Sequence, residues 1–170
     1  MEKVEEYYEK AMKARAAKDT TESVKFLQKA LKRLGQFIKK EPKNPAFPFR
    51  RAQIYSSINA HKYAVSDLLL TIRNDQKNTI PLFLLGNAYL ASKEFSMAME
   101  AYGKFFLLDE LHPSGQNYAE VHFNRAIARN GLEWYEEALM DLDAVAKLDP
   151  KYPKLAYCRE IIEKNISPSS

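Results

Sequence analysis

Four alanines recur along this chain at regular distances. Ala30, Ala64 and Ala98 are each 34 residues apart, and Ala138 follows after a further 40 residues. The residue four positions after each alanine is large and apolar: Leu34, Leu68, Tyr102 and Leu142. A fixed period of this length indicates one structural unit copied along the chain, because stacked units bury a continuous core. The period therefore predicts a repeat architecture with open faces for partners.

The composition favours helical units over strands. Only 5 of the 170 residues are glycine, and the helix formers Ala, Leu, Lys and Glu dominate. With 46% hydrophobic and 28% charged residues, the chain is typical of one soluble domain or short solenoid over 1–170. The longest mostly apolar stretch, 80–91, is interrupted by polar residues and is too short to span a bilayer. We expect no membrane-spanning segment.

The start of the chain and its cysteine content predict an intracellular, cytoplasmic protein. The N-terminal residues lack the basic-then-apolar order of a secretory signal. Cys158 is the single cysteine, so it cannot form an internal disulfide, which suits a reducing compartment. We interpret Cys158 as a small core residue rather than a nucleophile.

Three segments have the pattern of two helices joined by a short turn: 45–78, 79–112 and 119–152. The segment between the last two, 113–118, changes the period from 34 to 40 residues and has the composition of a loop. An inserted loop in a repeat protein is either a functional surface feature or a tolerated one. The sequence leaves both alternatives open.

The N-terminal end departs from the period. Residues 1–44 predict an irregular first helix pair, with helices over 2–17 and 20–41. Asp19 and Glu22 have capping-box spacing at the start of the second helix, which fixes its beginning.

The C-terminal end predicts a single capping helix over 153–165. Pro153 can occupy a first helical turn, and an apolar stripe on one face of the segment covers the last repeat. The polar residues 167–170 are expected to form a frayed tail.

The repeated pattern resembles the tetratricopeptide repeat, W-x2-L-G-x2-Y followed by A-x3-F and then P, with a period of about 34 residues. The clearest match is carried by Leu82, Leu85, Gly86, Tyr89, Ala98 and Tyr102. Glu110 replaces the closing proline of this copy. The resemblance implies an all-α fold: an α-solenoid of antiparallel helix pairs, wound as a right-handed superhelix and closed by a terminal capping helix.

The resemblance also implies a concave groove along the first helices of the repeats, where a peptide binds. The candidate groove residues are Phe49, Gln53, Ile80, Phe83, Asn87, Leu90, Phe123, Asn124 and Ile127. The three phenylalanines occupy equivalent positions. They form an exposed apolar ladder along the groove, or they pack between neighbouring repeats, and the sequence leaves both alternatives open.

Many co-chaperones of this family hold the C-terminal Glu-Glu-Val-Asp tail of heat-shock chaperones with a clamp of Lys, Asn, Asn, Lys and Arg. In the best register Asn87, Asn124 and Lys154 match the clamp, but Phe83 replaces the first lysine and Cys158 the arginine. A peptide carboxylate in this groove lacks its main cations. The residues therefore favour apolar peptide contacts over a carboxylate clamp.

No catalytic motif is present in the sequence, and His61, His112 and His122 are too scattered for a metal site. We predict a protein that is not an enzyme and needs no cofactor or metal. The expected function is an adaptor or co-chaperone that binds a peptide segment of a protein partner. A bacterial secretion chaperone of the same repeat family is an alternative, although the surplus of acidic charge that favours it is missing. The oligomeric state stays open.

The charge distribution provides a second alternative. Residues 1–44 carry 12 basic and 7 acidic groups, whereas residues 119–170 carry 7 and 9. The basic N-terminal third is either a solvated helix face or a surface for an acidic partner. Nucleic acid is the less expected of these partners.

A comparison of the copies predicts two ion pairs. Arg51 and Arg125 replace the leucine of the family pattern, and an aspartate follows each of them after sixteen residues, at Asp67 and Asp141. Because the two helices of a repeat run antiparallel, each arginine can reach its aspartate and satisfy a partly buried charge.

Overall fold

A computed structural model describes residues 1–166, and every regular element in that range is an α-helix. The helices are α1 Glu2–Ala16, α2 Thr20–Lys40, α3 Ala46–Ser57, α4 His61–Asn74, α5 Ile80–Ala91, α6 Phe95–Asp109, α7 Tyr118–Gly131, α8 Tyr135–Leu148 and α9 Leu155–Ile166. The tail expected at 167–170 lies outside the described residues. None of the described helices is long and apolar enough to cross a membrane.

The contacts divide the chain into two compact units, the first from Met1 to Asp75 and the second beginning at Gln76. In the first unit α1 packs on α2, α3 packs on α4, and α2 contacts α3. In the second unit α5 pairs with α6 and α7 with α8, while α9 covers α8 and part of α7. The predicted all-α architecture of helix pairs with a closing helix is confirmed. The assignment of 1–170 to a single domain stays a prediction.

The turns inside the pairs α3–α4, α5–α6 and α7–α8 repeat with the same period as the alanines. Asn59, Lys93 and Glu133 each adopt a positive φ, of 59°, 60° and 64°. In each turn the next residue donates its backbone N–H to a carbonyl five positions earlier, as in the 2.9 Å bond from Glu94 N to Tyr89 O. This is the left-handed geometry that ends many helices. The backbone therefore shows the repeat independently of the side chains.

The four repeat alanines lie where paired helices cross. Ala30, Ala64, Ala98 and Ala138 have no exposed surface. The large residues that follow them, Leu34, Leu68, Tyr102 and Leu142, are equally buried. A side chain larger than alanine has no room at such a crossing, which explains why the period is visible in the sequence.

Helix starts follow local capping signals. The Asp19 carboxylate accepts the Glu22 N–H at 2.9 Å, as its spacing predicts. The side chain of Asn117 accepts the Ala119 N–H at 2.9 Å, so α7 begins at Tyr118, one residue before the predicted segment. The predicted start of α9 at 153 is wrong. Lys154 has a positive φ of 65°, which is not helical, and the helix begins only at Leu155.

Both predicted ion pairs form inside their helix pairs. Arg51 Nε and Nη2 each donate to the carboxylate of Asp67 at 2.6 Å. Arg125 binds Asp141 in the same two-pronged manner, at 2.9 and 2.6 Å. This geometry gives the aspartates, which are buried, two charge-assisted hydrogen bonds each.

The second pair has additional partners that the first lacks. Arg129 Nη1 donates to Asp141 at 2.7 Å, and His122 Nδ1 lies 2.8 Å from the same carboxylate. Burial raises the pKa of Asp141, but the hydrogen bonds from His122 and Arg125 outweigh it and hold the pKa below its usual range. Asp141 is therefore charged at neutral pH although it is only 2% exposed.

The inserted loop is fixed by a third buried carboxylate. Asp109, at the end of α6, is 1% exposed. It accepts the Ser114 N–H at 2.9 Å, the Tyr118 hydroxyl at 2.7 Å and the Thr79 hydroxyl. Burial acts to raise the pKa of Asp109, but these hydrogen bonds lower it overall, and the same contact raises the pKa of Tyr118 to about 12. The loop is thus tied to the beginning of α5.

Replacing Asp109 with asparagine is expected to lower the free energy of unfolding by about 2 kcal/mol at neutral pH, because the amide leaves buried donors poorly paired. The pKa of Asp109 is lower in the folded state, so the stabilising contribution of its charge is present above about pH 4 and is lost as the pH falls through the folded-state value. The difference between wild type and Asp109→Asn should therefore shrink in acid. Urea unfolding at several pH values measures it.

The neighbouring Glu110 provides the control, since it is exposed and has no hydrogen-bonding partner for its side chain among the described residues. Glu110→Gln should change stability by about 0.5 kcal/mol or less at any pH. An equal effect of the two substitutions would mean that Asp109 does not anchor the loop.

Candidate functional site

The first helices of the second unit place two asparagine amides side by side. Asn87 on α5 and Asn124 on α7 are both half-buried, and Asn124 Nδ2 donates to Asn87 Oδ1 at 3.0 Å. The Tyr102 hydroxyl donates to the same oxygen at 2.7 Å. Burial raises the pKa of Tyr102, so its hydroxyl keeps the proton that it donates. Asn87 is therefore held in one orientation from two sides.

This arrangement leaves one donor group and one acceptor for a ligand. Among the described residues, no hydrogen bond involves the Asn87 nitrogen or the Asn124 oxygen. A peptide backbone presents the complementary carbonyl and N–H. Two paired amides can therefore hold an extended chain without regard to its side chains.

Apolar residues lie on the same two helices as the amides. Ile80 and Leu90 lie on α5 with Asn87, and Ile127 lies on α7 one turn after Asn124. All three are half-buried. The second unit therefore brings together five of the predicted groove residues, and we refer to Ile80, Asn87, Leu90, Asn124 and Ile127 as the asparagine face.

An apolar pocket lies beside Ile127, between α7 and α9. Its volume is about 200 Å³, and its lining residues are Ile127, Asn130, Cys158, Ile161 and Ile162. The Asn130 side chain accepts a hydrogen bond of 3.1 Å from Asn165, so the polar group at the pocket is already paired. The size and lining suit one large apolar side chain.

Of the two alternatives for the phenylalanines, the exposed ladder does not hold for Phe83 and Phe123. Phe83 is 4% exposed, and its ring lies 6.4 Å from the ring of Tyr102 and 6.1 Å from that of Phe105. Phe123 is 7% exposed and packs on Tyr152, with ring centroids 4.9 Å apart. Both rings extend away from their stripe into the spaces between helices, where burial of an aromatic ring is most favourable. They belong to the core.

The remaining predicted groove residues, Phe49 and Gln53, lie on α3 in the first unit. Both are half-buried, and Gln53 Oε1 accepts a hydrogen bond of 3.3 Å from Arg50. Their role in binding stays a prediction.

The carboxylate clamp is incomplete in the structure as in the sequence. Lys154 is exposed next to α9, but Phe83, at the place of the first lysine, is buried. Cys158 occupies the place of the clamp arginine, and a thiol carries no positive charge. Burial raises the pKa of this thiol, so it is not an activated nucleophile.

Two residues that shape the site are not evident from the repeat pattern. Tyr102 occupies a core position of the pattern, but its hydroxyl fixes Asn87. Ile161 lies outside the repeats and lines the apolar pocket. The signal available for Tyr102 was the choice of tyrosine where the family pattern has phenylalanine, since a buried hydroxyl needs a partner.

Sequence comparison finds a short match to one repeat protein. No known protein-family model matches the chain. The small glutamine-rich tetratricopeptide repeat-containing protein 2 of Mycosarcoma maydis is 36% identical over 74 residues, which cover 44% of this chain. The match spans only 19% of the length of that relative.

Structural comparison extends the likeness to most of the chain. The crystal structure of MamA superimposes with a TM-score of 0.73 over 92% of this chain and 84% of that one, at 15% identity. The first TPR of Spaghetti (RPAP3) bound to the HSP90 peptide SRMEEVD gives a TM-score of 0.64 over 72% of this chain and 92% of that one, at 19% identity. The chain has the fold of tetratricopeptide-repeat domains. This repeat protein therefore shares its architecture with a domain that holds a peptide.

Proposed function

We propose that this repeat protein is a non-catalytic interaction module, an adaptor or co-chaperone, that binds an extended peptide segment of a partner on the asparagine face. The observation that carries the proposal is the hydrogen-bonded pair of Asn87 and Asn124. Its free nitrogen and oxygen match the carbonyl and N–H of a peptide backbone. The fold is consistent with this role, since a solved domain with the same architecture binds a peptide.

The surroundings of the amide pair indicate the chemistry of the peptide. Ile127, one turn after Asn124 on α7, lines the apolar pocket, so we propose that a chain held by Asn124 places a side chain there. The pocket, about 200 Å³ in volume, takes one large side chain such as leucine, methionine or phenylalanine. We propose an apolar anchor residue as the determinant of specificity. A terminal carboxylate is disfavoured because the clamp positions hold Phe83 and Cys158.

Replacing Asn124 with alanine is expected to weaken peptide binding about tenfold, because the partly buried hydrogen bond between the Asn124 side chain and the peptide backbone is lost. Stability should change little, since the side chain is half-buried and Tyr102 still supports Asn87. Peptides selected from a random display library on the purified protein provide the ligand. Isothermal titration measures the affinity, and a thermal melt of the same preparation measures the stability.

Gln28→Ala is the matched control, because Gln28 is an exposed amide on α2 in the other unit. It should leave peptide affinity unchanged. A synthetic peptide ending in Glu-Glu-Val-Asp is the second probe and should bind more weakly than the selected apolar peptides. Full affinity in Asn124→Ala would contradict binding at the asparagine face, and preference for the acidic tail would contradict the apolar anchor.

A further inference from the structure

The outward face of α2 is a row of positive charge without matching negative charge. Between positions 23 and 40 the helix carries six basic residues and no acidic one. Five of the six are exposed lysines: Lys25, Lys29, Lys32, Lys39 and Lys40. The sixth, Arg33, is half-buried with its guanidinium 5.5 Å from the ring of Phe37.

Most of these lysines have no counter-charge within residues 1–166. Lys25 pairs with Glu22 at 2.6 Å, but no carboxylate lies within ion-pair distance of the other four among the described residues. Elsewhere in the first unit Arg50 pairs with Glu5 and Arg51 with Asp67. Repulsion between like charges on adjacent helical turns is unfavourable. A row of lysines without counter-charges is therefore suited to a ligand that carries negative charge.

The row is linear and its side chains are partly ordered. Helical positions 25, 29, 32 and 40 share one stripe, which extends for about 22 Å at 1.5 Å per residue. Lys29 Nζ lies 5.3 Å from the ring of Phe26 and 5.7 Å from that of Tyr7. Such cation–ring contacts restrain a lysine stem while its ammonium stays accessible to an anion.

We propose that this face, defined by Lys25, Lys29, Lys32, Lys39 and Lys40, binds an Asp/Glu-rich segment of a partner protein. It lies in the first unit and is independent of the asparagine face. Two observations favour a carboxylate-rich chain over a nucleic acid. The exposed cations are all lysines, whereas phosphate and base recognition favours the arginine fork. The neighbouring rings of Phe26 and Tyr7 stack on each other and carry lysine ammonium groups, so they do not present open platforms for bases.

The test measures binding of a fluorescent peptide of about fifteen glutamates, which is long enough to span the stripe in an extended conformation. The variant Lys29→Glu/Lys32→Glu/Lys40→Glu reverses the charge of the row. Its matched control, Lys3→Glu/Lys13→Glu/Lys62→Glu, changes the net charge equally at exposed lysines outside α2. We expect anisotropy titrations to show an affinity loss of about tenfold or more in the α2 variant and about twofold or less in the control.

Several results would overturn the proposal. Equal losses in both triple variants would show attraction by net charge alone, and the absence of peptide binding to the wild type would remove the site. Tighter binding of an oligothymidine of equal charge would make nucleic acid the partner. Self-association that light scattering detects in the wild type, and that the α2 variant abolishes, would assign the face to a second copy. If the α2 variant loses its helical circular dichroism, the same peptide titration is made with Lys29→Gln/Lys32→Gln/Lys40→Gln, and its affinity for the peptide decides the question.

Discussion

Arg51→Leu is expected to lower the free energy of unfolding by about 3 kcal/mol, because it leaves the charge of Asp67 buried without a partner. The Asp67 side chain is 5% exposed and receives both of its ion-pair hydrogen bonds from Arg51. Urea unfolding followed by circular dichroism measures the loss. The effect takes the lower end of the range for buried pairs, since the arginine itself is 25% exposed.

The second ion pair provides a matched comparison within the same chain. Arg125→Leu leaves Asp141 with Arg129 at 2.7 Å and His122 at 2.8 Å, so the charge stays partly compensated. We expect a loss of about 1–2 kcal/mol, smaller than at Arg51. Equal losses at the two positions would show that the additional partners of Asp141 contribute nothing.

A double substitution separates the pair from its individual residues. The helix pair α5–α6 carries Leu85 and Ala101 at the places of the arginine and the aspartate, 5% and 3% exposed. Arg51→Leu/Asp67→Ala places the same apolar pair of leucine and alanine in α3–α4. It should therefore recover most of the stability that is lost in Arg51→Leu. A double mutant less stable than Arg51→Leu would contradict the uncompensated charge as the cause.

Gly86→Ala is expected to destabilise the protein by about 2 kcal/mol or more through overpacking. A Cβ at this position would lie 2.4 Å from the Tyr102 ring, far inside contact distance. The ring cannot move aside easily, because Tyr102 is fully buried and its hydroxyl is bonded to Asn87. The substitution should also weaken peptide binding, since displacement of Tyr102 disturbs the asparagine face.

Gly103→Ala on α6 is the control for this effect. No atom lies within 4 Å of a Cβ built there, and the residue is exposed in the middle of the helix. Alanine should therefore stabilise the protein by about 0.5–1 kcal/mol through its higher helix propensity. Thermal and urea unfolding of both variants compare them directly. A gain of stability in Gly86→Ala would show that the α5–α6 crossing has spare volume.

The sequence was sufficient to predict those features in which a single packing, capping or charge requirement determines the residue type at a position. The alanine period predicted the helix pairs, since only small residues fit at helix crossings and the crossing recurs in every copy. The spacing of Asp19 and Glu22 predicted the start of α2. The comparison of copies predicted the partners of Arg51 and Arg125, because a charge that replaces leucine in one helix needs a counter-charge in the next.

Other features depended on groups far apart in the sequence. Whether Phe83 and Phe123 face a groove or the core is decided by a small rotation of their stripe, and the rings occupy space that α6 and the segment before α9 provide. The hydrogen bond between Asn87 and Asn124 joins residues 37 positions apart. The anchoring of the loop by Asp109 depends on Thr79, 30 positions earlier. The sequence by itself determined the repeated helix pairs and their crossings. Each crossing accepts only a small buried residue, so the period of the crossings is visible as a period of alanines. Only the tertiary structure decided which stripe residues stay accessible, because exposure depends on the shape of the space between helices.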